Sequence, residues 1–70
     1  EEMEVGDKIL TALESKYLAA IAEAEANIGV YMDNPAGIGE HPDVTAAVDS
    51  QIAIMAEAED KLETIRKHYL

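Results

Sequence analysis

The chain contains no cysteine, so disulfides, iron–sulfur clusters and thiolate zinc sites are excluded. Basic residues are scarce: five Lys and Arg stand against 15 Asp and Glu, a formal net charge of −10. Contacts to a nucleic-acid backbone come from Lys and Arg, so this balance argues against nucleic acid as a partner. Long apolar runs are missing as well. The longest, Tyr17 to Ala22 and Ile52 to Ala56, fall far short of the roughly 20 residues that cross a bilayer. No signal-peptide pattern is visible, and a cytoplasmic, membrane-free location is the expectation. Seventy residues make one small domain, 1–70, and a core of that size seldom supplies more than about 3–5 kcal/mol by itself.

What is present reads as two helices around one loop. Both prolines and two of the four glycines fall in Asn34-Pro35-Ala36-Gly37-Ile38-Gly39-Glu40-His41-Pro42. Pro35 disfavours the helical region at Asn34 and removes a donor, which ends a first helix spanning about 7–33. After the loop at 34–42, Pro42 suits the first helical position of a second helix over about 43–69. Asp43 then falls in the first turn, and Arg66, Lys67 and His68 in the last, each favourable to the helix dipole. Leu10, Leu13, Tyr17, Ala20, Ala24, Ile28 and Tyr31 follow steps of three and four. Val44, Val48, Ile52, Met55, Leu62, Ile65 and Tyr69 do the same, apart from one longer step across Ala56-Glu57-Ala58-Glu59. Abundant alanine favours helix too, and about 27 residues at 1.5 Å each make a rod of roughly 40 Å.

The fold class is therefore all-α: an antiparallel two-helix hairpin. Folding back at Ile38 sets Ala20 and Ala24 opposite Ala56 and Ile52, where small residues let the backbones approach. The motif Ala22-Glu23-Ala24-Glu25 recurs as Ala56-Glu57-Ala58-Glu59, which helix propensity alone explains. The residues expected in the core or in an interface are Leu13, Tyr17, Ile21, Ile28, Tyr31, Ile52, Met55, Leu62, Ile65 and Tyr69. The three tyrosines sit on the apolar stripes and suit an interface edge. Further apolar residues lie off the main stripe: Ile9, Leu18, Val30, Met32, Ile54 and Leu70. A stripe wider than a two-helix contact requires faces a larger core. The simplest closure is a homodimer completing a four-helix bundle, with another protein as the alternative cover.

Catalytic constellations are absent from the pattern. Glu-x-x-His, the step of bundle di-iron sites, does not occur, since Ile38 and Ile65 stand three residues before His41 and His68. Glu40, His41 and Asp43 gather at the loop–helix junction, but helix capping explains them better than a metal does. Asp33 does not open an EF-hand loop, because Pro35 stands where a ligand is wanted. Gly37-Ile38-Gly39 precedes a helix but lacks the Gly-Lys-Ser/Thr of a phosphate loop, and turn chemistry accounts for it. Glu57, Glu59, Asp60 and Glu63 cluster with a single nearby cation, Lys61, which fits a solvated helix face rather than a magnesium-dependent nucleotide site. Glu57 with Lys61, and Glu63 with Lys67, have the spacing and order of surface helix pairs. Ser15 and Ser50 have no neighbouring His in sequence. The expectation is no catalytic residue, no cofactor and no metal, with Ile38, Glu40 and His41 as a candidate interaction loop.

The loop Asn34-Pro35-Ala36-Gly37-Ile38-Gly39-Glu40-His41-Pro42-Asp43, followed by the acidic helix through Ala58-Glu59-Asp60-Lys61-Leu62-Glu63, resembles small helical-hairpin proteins of tailed bacteriophages that infect marine cyanobacteria. The likeness covers about residues 7 to 67. It implies a phage product acting inside a bacterial host, and it implies no activity or functional residue. The expected function is a non-enzymatic protein-interaction or structural module that binds itself or a host or phage protein. The alternative is an acidic mimic of DNA that inhibits a basic host protein.

Overall fold

The computed structural model describes residues 5–33 and 43–70. Helix α1 runs Val5–Asp33 and helix α2 runs Val44–His68, and the two pack against each other. The described residues contain no strand. No described helix is long and apolar enough to cross a membrane.

Local chemistry sets the ends. Asp43 is the N-cap of α2: its carboxylate accepts a 2.9 Å hydrogen bond from the Ala46 N–H, and its carbonyl accepts from the Ala47 N–H. This satisfies one of the free donors that open every helix. The first helical position belongs to Val44, and Asp43 acts as a cap instead of lying in the first turn; Pro42 lies outside the described residues. At the other end, Arg66, Lys67 and His68 occupy the last turn, and the Tyr69 N–H closes on the Ile65 carbonyl at 2.8 Å. Among the described residues, Glu57 and Lys61 form the expected pair at 3.2 Å, whereas Glu63 and Lys67 do not pair.

Two cross-helix interactions give the direction and register. Asn27 Nδ2 donates to Gln51 Oε1 at 3.1 Å, across a sequence separation of 24 residues. Arg66 Nε donates to Glu14 Oε2 at 3.1 Å, across 52. Separation that grows away from the loop is the mark of an antiparallel hairpin. Tyr17 agrees with this register, since Lys61 Nζ lies 5.8 Å from the centre of its ring, inside cation–π range.

The molecule measures 53 × 20 × 14 Å, which is one layer of helices. A helix with a single neighbour can bury only the side turned toward it. Among the described residues the buried core consequently holds four: Ala24, Ala58, Leu62 and Ile65. Two of these are alanines, consistent with close approach of the backbones near mid-helix. The register differs from the expected one by about half a turn. Ala58, not Ala56, is buried, and Ala20 shares a depression with Ala58.

Candidate functional site: an uncovered side of the hairpin

Helical spacing sorts the side chains of this layer onto its two broad sides. On α1, Leu18, Ile21, Glu25, Ile28 and Met32 follow steps of three and four, on a flank of the stripe that meets α2. On α2, Val48, Ile52, Met55 and Glu59 do the same, with Glu63 one turn further on. Both rows face one way: Met32, Val48 and Ile52, together with Val44, Thr45 and Asp49, line an open depression of about 490 Å³. We call this the Ile52 side. The opposite side carries Lys16, Ile54, Glu57 and Lys61, which border a second, smaller depression with Tyr17, Ala20 and Ala58.

The Ile52 side is apolar over much of its length and is poorly covered. Leu18 is 48 % exposed, Ile52 50 % and Met32 66 %. Ile21, Ile28, Val48 and Met55 are half-buried between the helices and the surface. Single exposed apolar residues are ordinary, but a contiguous patch is not. On the Lys61 side the exposed Ile9, Val30 and Ile54 stand apart along the layer, with charged groups between them. There Lys61 is engaged twice, by the Glu57 carboxylate and by the Tyr17 ring.

The residues singled out in the sequence are distributed as follows. Leu62 and Ile65 are buried, and Leu13, Tyr17, Ile21, Ile28, Tyr31 and Met55 are half-buried. Ile52 and Tyr69 are exposed and do not belong to the core of the hairpin. Ile52 points off the α1 contact, and Tyr69 is the C-cap of α2, one residue past its last helical position. Ile38, Glu40 and His41 lie outside the described residues. Asp43, grouped with Glu40 and His41 as a conceivable ligand, has its carboxylate committed to the helix cap. Among the described residues, no group of three or more His, Asp or Glu is arranged to hold a metal.

Sequence periodicity does not mark three of the side chains that join the helices. Asn27 and Gln51 are polar residues on otherwise apolar stripes, and that interruption was the available signal. Glu14 pairs with Arg66 across the helices, a relation that dipole reasoning about Arg66 alone does not reach. Compared with family models, with curated proteins and with solved structures, the chain matches none.

Proposed function

We propose that this protein is a non-enzymatic interaction module: half of a helical bundle whose Ile52 side is completed by another helical surface. One observation carries the reading. A single-layer hairpin presents Leu18, Met32 and Ile52 together on one side, while among the described residues four are buried in its core. Burying apolar area contributes about 25 cal/mol per Å², so covering such a side stabilises both the hairpin and the complex. Two surfaces complete the bundle equally well in architecture. One is a second copy, giving a homodimeric four-helix bundle. The other is a helix of a different protein.

A photo-reactive side chain at position 18 or 52, in cells of the natural source, tests this reading. The expected result is specific covalent adducts from 18 and 52, to a second copy or to another protein, with none from positions 23 and 30 on the opposite side. Adducts from both sides alike, or from neither, contradict it.

A further inference from the structure

The charges that border the Ile52 side discriminate between the two covers. Glu25 interrupts the apolar row of α1, and Glu59 and Glu63 continue the row of α2 beyond Met55; all three are exposed. Asp49 borders the depression at the loop end. Arg66 continues the same row as Glu63 and donates its Nε–H to Glu14 of the same chain. The lysines Lys16 and Lys61 are on the other side of the layer. Among the described residues these four carboxylates make no ion pair, and this side is an apolar strip edged by negative charge.

Consider a second copy seated on it. With both loops at one end, a two-fold axis parallel to the helices lays α2 of each copy over α1 of the other, so Glu59 falls level with Leu18 and Ile21, and Glu25 with Ile52 and Met55, and carboxylates are pressed onto apolar side chains. With the loops at opposite ends and the hairpins fully overlapped, α2 lies antiparallel over α2 of the other copy, and Glu59 and Glu63 fall along the stretch from Asp49 through Ile52 and Met55. That geometry desolvates carboxylates without a counter-charge, which is costly. Sliding the copies apart to avoid this leaves much of the strip uncovered. A net charge of −10 on each chain adds general repulsion.

We infer that the occupant of the Ile52 side is an amphipathic helix of another protein, whose apolar stripe meets Leu18, Ile21, Ile28, Ile52 and Met55 and whose flanking Lys or Arg residues meet Glu25, Glu59 and Glu63. This rests on the interaction reading above and names the partner chemistry for the same side. Opposite charges flanking an apolar seam fix orientation and exclude wrong partners, as at the flanking positions of coiled coils.

The test uses the full chain and two synthetic helical peptides that share one leucine stripe, flanked by Lys in one and by Glu in the other. Binding is read by fluorescence anisotropy, and the mass of the free chain by light scattering. The expected result is a monomeric chain that binds the Lys-flanked peptide and ignores the Glu-flanked one. Affinity should fall between about 0.05 and about 0.5 M salt, as screening dictates. The double substitution Glu59→Gln with Glu63→Gln should weaken binding roughly three- to twenty-fold, the range for losing two exposed charge pairs. Glu23→Gln with Glu57→Gln makes the same change in net charge on the opposite side and should leave binding intact. Helicity by circular dichroism confirms that each variant folds. Equal binding of both peptides overturns the charge assignment. Equal binding of a Lys-rich peptide without leucines overturns it too, and shows the carboxylates acting alone, as a mimic of a phosphate backbone does. A chain that is dimeric and is not displaced by the Lys-flanked peptide overturns the inference but leaves the interaction reading standing, since the crosslinks from 18 and 52 then join two copies.

Discussion

Asn27 and Gln51 meet amide to amide across the hairpin, with Asn27 Nδ2 3.1 Å from Gln51 Oε1 in a partly buried position. The bond joins the two helices within an otherwise apolar seam, so it favours one register over others a turn away. A net contribution of about 0.5–1.5 kcal/mol is expected from such a bond. A double-mutant cycle with Asn27→Ala and Gln51→Ala, followed by urea unfolding, should return a coupling energy in that range. A coupling near zero contradicts a register-setting role.

Burial separates two residues that look alike in the sequence. Leu62 is 6 % exposed and Ile52 is 50 % exposed. Leu62→Ala should destabilise the monomeric hairpin by about 2–5 kcal/mol, the usual cost of truncating a buried aliphatic residue. Ile52→Ala should cost less than about 1 kcal/mol there, because half of that side chain already faces water. Denaturant midpoints at low protein concentration check both values.

The helices themselves were legible in the amino-acid sequence, and the relation between them was less so. Steps of three and four mark both helices, and the Pro- and Gly-rich stretch marks their separation. Asp43 before Val44 had the chemistry of a cap, although a first-turn role competed with it. The register was shifted because folding back at Ile38 puts Ala56 opposite Ala20, whereas steps of three and four from Met55 to Leu62 pass through Ala58, on nearly the opposite face of the helix from Ala56. The choice is made by particular side chains: Asn27 on Gln51, Glu14 on Arg66 and Tyr17 beside Lys61. The excess of apolar residues was visible as a wide stripe. Its division into a contiguous Ile52 side and a scattered Lys61 side required the two helices to be set against each other.

Ala24 is 1 % exposed at the close approach of the helices. A larger residue there has to push the backbones apart. Ala24→Leu should destabilise by about 1–3 kcal/mol through overpacking, while Ala56→Leu, at an exposed position, should be nearly neutral. Thermal unfolding of the two variants compares them directly, and equal midpoints contradict the register.

Gly29 sits inside α1, and a Cβ built there meets nothing within 4 Å. Glycine is unfavourable in a helix by roughly 0.5–1 kcal/mol relative to alanine because it loses more backbone freedom on folding. Gly29→Ala should therefore raise the midpoint of thermal unfolding by a few degrees. A lower midpoint indicates that a neighbour occupies this position.

Removing the cap isolates the start of α2. Asp43→Ala should cost about 0.5–2 kcal/mol, and Asp43→Asn or Asp43→Ser should restore most of it, since each side chain still accepts from the Ala46 N–H. Hydrogen exchange at the first turn of α2 should rise in the Ala variant alone.

The central claim is that one side of this layer is the docking surface. Nuclear magnetic resonance of the isoleucine, leucine and methionine methyl groups, during titration with the Lys-flanked helical peptide, tests it most directly. The account expects shifts at Leu18, Ile21, Ile28, Ile52 and Met55, with Val30 and Ile54 nearly unmoved when valine methyls are followed as well. Shifts centred on Ile54 and Val30, or none at saturating peptide, contradict it.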